Sequence, residues 1–229
     1  MTTAAEIRKL VQPLLNRNPD LGLVGRFIFY KQVGHFLRGI YIDRYSYKEA
    51  FRPFWTISFL VQPSPNNIYG YSLGQDIYPA PQDHWYIQNP NINEKFADRI
   101  EEVALPILKA VKKIEDYSNI TIKDIFPTIT IEKNPVEKNP TRKIYLDLAL
   151  GRFESAENIF EIFSKHPDYW SKSFFKEGHF NELMEVIRPL VHAQNRPAIA
   201  AKLHEWEAYS VKQLKLEKYW QPSPFPIEG

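Results

Sequence analysis

Between Arg26 and Leu73 the chain is built from aromatic and β-branched residues that alternate in places with period two, whereas on either side apolar residues return every three to four positions. A period of two puts successive side chains on opposite faces of a strand, and a period near 3.6 gathers them into one stripe on a helix. A chain that changes from one period to the other and back has an α+β architecture: an N-terminal antiparallel sheet of three to four strands packed with helices, followed by an all-α region of paired helices.

The strand signals are specific. Phe27, Ile28, Phe29 and Tyr30, a turn near Val33-Gly34, and Phe36 to Ile42 read as a β-hairpin. Trp55, Ile57, Phe59 and Val61 fall on one face with Thr56 and Ser58 opposite, the pattern of a half-buried strand. Tyr69, Tyr71 and Leu73 repeat that alternation. Six of the 18 prolines fall between Pro53 and Pro90, so stiff, irregular loops should separate these strands.

The helical signals flank them. Ile7, Leu10, Val11, Leu14 and Leu15 form one stripe over residues 4–16, and the Asn, Pro, Asp and Gly of residues 16–22 stop it. From Asn93 to about Asp116 a long amphipathic helix carries Phe96, Ile100, Val103, Ala104, Ile107, Leu108, Val111 and Ile114, and Pro106 should kink or break it. The three prolines of residues 127–141 make a linker or surface excursion. The domains expected are therefore 1–126, α+β, and 142–229, all-helical. Within the latter, Gly151-Arg-Phe153, then Ala156, Phe160 and Phe163, matches Gly178-His-Phe180, then Leu183, Ile187 and Leu190, at an offset of 27 residues. Each copy describes a glycine turn leading into a helix. LALGRFESAENIFEIFSKHP resembles a tetratricopeptide-type helical hairpin, with a shorter period, two copies only, and bulky Phe163 where that family carries a small residue. A last helix spans about Ala198 to Lys218 with Ile199, Leu203, Trp206 and Leu214 inward, and QPSPFPIEG is a Pro-rich tail.

Charge and composition exclude several functions. Lys plus Arg total 29 against 27 Asp plus Glu, with 15 basic and 13 acidic side chains in residues 1–126 and 14 of each in residues 127–229, so no basic face for nucleic acid is expected. The absence of cysteine removes disulfides, thiolate metal sites and cysteine nucleophiles. No run approaches the 18 or so apolar residues of a membrane span, and no signal peptide is evident; a cytoplasmic protein is the expectation. The histidines at 35, 84, 166, 179, 192 and 204 lack the i, i+4 spacing of a helical metal pair, so no metal is expected. Glycine loops that cradle phosphate are missing as well, and no cofactor is expected. Asp98, Glu101 and Glu102 sit on the polar face of the long helix, where solvation accounts for them.

Gly70-Tyr71-Ser72-Leu73-Gly74 has the spacing of a serine-hydrolase nucleophile elbow, but Pro79 and Pro81 follow where a helix should begin. A hydrolase using Ser72 stays open as an alternative, as does a structural homo-oligomer. Two stretches carry the rigid aromatic and arginine side chains that dominate interfaces. The first holds Arg38, Asp43, Arg44 and Tyr45; the second holds Tyr78, His84, Trp85 and Tyr86 in a Pro-stiffened loop. These eight are the candidate partner-binding residues, with a competing expectation that Trp85 and Tyr86 fold back over the sheet and that Arg38 pairs with Asp43 or an acidic helix face.

The run HFLRGIYIDRYSYKEAFRPFWTISFLVQPSPNNIYGYSLG, with ALPIL in the helix after it, resembles a group of uncharacterised bacterial proteins over residues 25–115. In layout it is also similar to domain-of-unknown-function families encoded among bacterial immunity proteins. That resemblance implies a non-catalytic α+β domain with no catalytic residues to carry over. The expectation is a non-enzymatic bacterial module that binds another protein.

Overall fold

A computed structural model describes residues 3–44, 49–61, 73–80, 83–119, 139–173 and 178–229. Its contacts divide the chain into two units. The first takes in Met1–Phe59, Ser72–Val111 and Tyr219–Gln221; the second takes in Leu60–Tyr71, Lys112–Lys218 and Pro222–Gly229. The change of unit at Val111/Lys112 precedes the boundary at 126 read from the sequence. Most of the expected linker, residues 127–138, lies outside the described residues.

In the first unit, α1 (Ala4–Arg17) begins at a capping box in which the Glu6 amide donates to Thr3 Oγ1 at 3.2 Å and the Thr3 amide donates to Glu6 Oε2 at 2.6 Å. Its stripe of Ile7, Leu10, Val11 and Leu14 is buried, and Leu15 falls at the margin. An antiparallel sheet follows: β1 (Leu21–Val24), β2 (Phe27–Tyr30), β3 (Phe36–Arg44), β4 (Ala50–Phe59), β5 (Leu73–Asp76) and β6 (Trp85–Tyr86), in the order β1-β2-β3-β4-β5 with β6 also on β4. The hairpin of β2 and β3 is present with Phe27 opposite Tyr41, and His35 lies in its turn.

Among the described residues the sheet has six strands, where three or four were expected. β1 escapes the sequence reading because its four residues begin inside the segment of residues 16–22 read as a helix stop and are too few to show a period. β4 also differs, since Thr56 and Ser58 are buried like the apolar residues opposite them. A central strand with both faces covered needs its polar side chains paired, and Thr56 Oγ1 lies 3.3 Å from Ser58 Oγ. The strand ends at Phe59, so Val61 is not part of it. Pro53 is tolerated inside β4 opposite Ile42, and its carbonyl still accepts from the Ile77 amide at 2.8 Å.

Pro106 acts as expected. The long helix is divided into α2 (Ile92–Val103) and α3 (Leu105–Ala110), with Pro106 in the first turn of α3, where its missing amide costs little. α4 (Ile114–Asn119) belongs to the second unit. Phe96 of α2 meets Phe51 and Trp85 edge-on at 6.0 and 5.7 Å, which places the helix over the sheet's apolar face.

The second unit continues with α5 (Pro140–Ala149), α6 (Phe153–Lys165) and α7 (Pro167–Ser173). After α8 (His179–Asn181) comes a π-helical turn, Glu182–Ile187, and then α9 (Arg188–His192) and α10 (Arg196–Gln213). Both repeat glycines are left-handed, Gly151 at φ 67° and Gly178 at φ 82°, and each precedes a helix start. Pro189 explains the π turn: its ring clashes with the carbonyl four residues back, at Glu185, and the wider turn relieves that clash. Phe160, Phe163, Phe180 and Leu183 are buried. The supposed Pro-rich tail is docked, with Phe225 and Ile227 both buried.

Candidate partner-binding surface

The eight residues singled out from the sequence are not gathered into one patch. Arg38 points from β3 toward the end of α3, donating to the carbonyls of Leu108 and Val111 at 3.2 and 2.7 Å, with its guanidinium 5.1 Å from the Tyr30 ring centre. Those carbonyls lack intrahelical donors, and a cation at the negative end of a helix is the natural cap. The cap takes the place of the expected pairing with Asp43 or an acidic face. Arg38→Ala should lower stability by about 1.5–3 kcal/mol in chemical denaturation. Its effect on partner affinity should be within twofold.

Asp43 instead receives Arg52 at 3.0 Å and the Arg44 amide at 2.8 Å, and Arg44 is exposed. Tyr45 lies outside the described residues, as does Ser72. Trp85 is a core residue, 3% exposed, stacked on Phe51 and donating its indole N–H to the Ile77 carbonyl at 2.7 Å. Tyr86 is half-buried. The fold-back expectation describes Trp85.

His84 is brought together with charged side chains of α2, and Arg99 of that helix also holds the Tyr78 backbone. Tyr78 is 40% exposed; its hydroxyl donates to Asp76 at 3.1 Å, and its carbonyl accepts from Arg99 Nε of α2 at 3.0 Å. Beside it opens a groove of about 410 Å³. Pro79, Ala80, Asp83 and His84 form one wall, the polar face of α2 (Lys95, Asp98, Arg99, Glu102) forms the other, and Trp85 and Ile92 line it as well. Both walls are braced. Asp83 accepts from the His84 amide at 2.7 Å, and Arg99 pairs with Glu102 at 2.8 Å. Arg17 of α1 holds Glu94, Asp98 at 2.6 Å and Glu101 at 3.1 Å, tying α1 to α2. Pockets for small molecules are lined mostly by apolar and aromatic groups with a few polar ones. Here charges of both signs line two walls, which suits an amphipathic polypeptide segment better.

A second polar cluster lies inside the helical unit. His179 stacks on Tyr145 at 5.9 Å and meets Trp206 edge-on at 5.2 Å. Its Nε2 is hydrogen-bonded to the Tyr145 hydroxyl, and its Nδ1 lies 3.3 Å from Glu182 Oε2. Trp206 Nε1 donates to the same oxygen at 3.2 Å, and Lys202 binds Glu182 Oε1 at 2.9 Å. The order of phenol, imidazole and carboxylate is that of a catalytic relay, but both ring nitrogens are engaged and Tyr145 is buried, so the cluster joins α5, α8, the π turn and α10 rather than facing a substrate. Only the i, i+3 spacing of His179 and Glu182 was visible in the sequence; Tyr145 is 34 residues away.

Burial holds the His179 pKa below its ordinary value, outweighing the hydrogen bond and charge of Glu182. Burial would raise Glu182, yet the hydrogen bond and charge of Lys202, with those of His179, bring it below the usual carboxylate value. Both depressed groups bind protons more readily in the unfolded chain. Their stabilisation is complete above the unfolded histidine pKa of 6.5 and falls as pH drops through the folded value, with Glu182 adding its loss below 4.5. The unfolding midpoint should therefore fall between pH 7.5 and 5.5, and His179→Gln should flatten that slope.

Among the described residues, no three His, Cys, Asp or Glu side chains gather in a metal-holding arrangement, and no helix is long and apolar enough to cross a membrane. No protein-family model, curated protein or solved structure matches the chain.

Proposed function

We infer that this protein is a non-enzymatic binding module that recognises another protein through the groove that Pro79, Ala80, Asp83 and His84 form with α2. The observation that carries the reading is a groove with two braced charged walls: Arg99 of α2 holds the Tyr78 carbonyl, the Arg17 bridges hold α2, and the Tyr78 ring, 40% exposed, stands on the residue just before the lining begins at Pro79. A rigid aromatic ring buries much area for little entropy, and the charged walls fix the register of whatever lies between them. An immunity-type role, in which such a module masks a toxin, belongs to the same proposal and rests on the sequence resemblance alone. A cytoplasmic location is part of the same proposal.

The test compares proteins captured from the source organism by the wild type, by Tyr78→Ala combined with Lys95→Glu, and by Tyr209→Ala, an exposed tyrosine of the second unit. A protein retained by the wild type and by Tyr209→Ala, and lost from the groove variant, is the expected result. A retained set unchanged by the groove substitutions would overturn the assignment.

A further inference from the structure

Residues 222–229 contain one short 3-10 turn, Pro226–Glu228, and yet bury two side chains almost completely: Phe225 and Ile227 are each 1% exposed. The surface that receives the turn is made by α10 and α5, with the glycine turn that follows α5. A Cβ on Gly151 would lie 3.5 Å from Ile227 Cγ1, an ordinary van der Waals distance, so the glycine turn borders the isoleucine site. Two side chains of α10 then hold the polar groups. Arg196 donates to the Ile227 carbonyl at 3.3 Å, and His204 Nε2 lies 2.9 Å from Glu228 Oε2 with its ring 4.8 Å from that of Phe225. Glu228 Oε2 also accepts from the Phe225 amide at 2.6 Å, closing the segment on itself. Alongside, a cleft of about 790 Å³ stays open between the segment and Arg196, Pro197, Ala200, Ala201 and His204.

These contacts read one pattern: an aromatic residue, a proline, an aliphatic residue and an acid, the first and third side chains in apolar sites and the acid on a histidine. Prolines at 222, 224 and 226 lower the entropy lost on docking, as in grooves that read Pro-rich peptides. We propose that this surface is a peptide-binding groove for an aromatic-Pro-aliphatic-acidic segment of another protein, occupied in cis by residues 225–228 as an autoinhibitory contact.

A short tether raises the local concentration of the built-in segment to about the millimolar range, so even a weak intrinsic affinity keeps the groove filled until a stronger or more abundant ligand arrives. The Gln221 amide is fixed to the Val33 carbonyl at 2.9 Å, and the chain from Gln221 to Phe225 spans at most about 14 Å. That lead is too short for exchange with a second copy unless the Val33 bridge opens, which favours a foreign ligand. The proposal is independent of the groove on α2.

The test uses the full chain carrying Phe225→Ala and Ile227→Ala together, with a fluorescein-labelled peptide QPSPFPIEG. The emptied variant should bind the peptide saturably and at least tenfold more tightly than the wild type. Adding His204→Ala should weaken that binding, and a peptide with Phe and Ile replaced by Ala should not bind. Should the double variant fail to fold by circular dichroism, hydrogen exchange on the wild type replaces it: millimolar peptide should accelerate exchange of the Phe225 and Glu228 amides. A folded variant that ignores the peptide, or exchange unchanged by several millimolar peptide, would overturn the proposal. Concentration-dependent dimerisation of the wild type that the emptied variant loses would assign the groove to a second copy instead.

Discussion

Gly39→Ala should cost this protein at least about 3 kcal/mol of stability, among the largest losses available from a single added methyl group. Gly39 lies in the middle of β3, between β2 and β4. A Cβ there would sit 2.1 Å from the Ile28 carbonyl oxygen and 2.7 Å from Phe27 Cε1. The oxygen is backbone held by the β2–β3 ladder, so relief requires moving a strand. Gly74 has a similar conflict, 2.2 Å from the Trp55 carbonyl oxygen, but β5 ends the strand order and can move outward. Urea unfolding should rank Gly39→Ala as more damaging than Gly74→Ala. A loss under 1 kcal/mol for Gly39→Ala would mean that β2 and β3 are not paired in this register.

Phe163→Ala should cost about 3–5 kcal/mol, while the adjacent Ile162→Ala should stay within about 0.5 kcal/mol. Phe163 is fully buried, with ring centres of Phe160, Trp170 and Phe180 at 6.5, 5.2 and 6.0 Å. Ile162 is 41% exposed one position earlier on the same helix. The bulky phenylalanine that departs from the tetratricopeptide-type pattern thus fills the space where α6, α7 and α8 meet. Similar losses at the two positions, read from thermal or urea melts, would contradict that packing.

How far a segment could be read depended on whether one period dominated it. The α1 stripe from Ile7 to Leu14 and the break at Pro106 were legible because helix periodicity and proline geometry act locally. The burial of Thr56 and Ser58 was not, because alternation reports which faces differ in polarity and says nothing of what covers the second face. For the same reason Phe225 and Ile227 looked like part of a loose tail: their sites are built by α5, Gly151 and α10, far away in sequence.

The candidate groove was half legible. Prolines and aromatics marked its outer wall at Pro79 and His84, but Lys95, Asp98, Arg99 and Glu102 looked like any solvated helix face until the loop was placed beside them. Trp85 and Arg38 carry residue types common at interfaces and serve other ends, one in the core and one at a helix terminus. Residue type alone does not separate those roles.

The most direct measurement is a calorimetric titration of the captured partner into wild type, Tyr78→Ala and Tyr209→Ala, each first shown to be folded. Recognition through the groove on α2 predicts that Tyr78→Ala weakens binding about thirtyfold, equivalent to about 2 kcal/mol, while Tyr209→Ala changes it less than twofold. Equal affinities for wild type and Tyr78→Ala, or a larger loss for Tyr209→Ala, would contradict it.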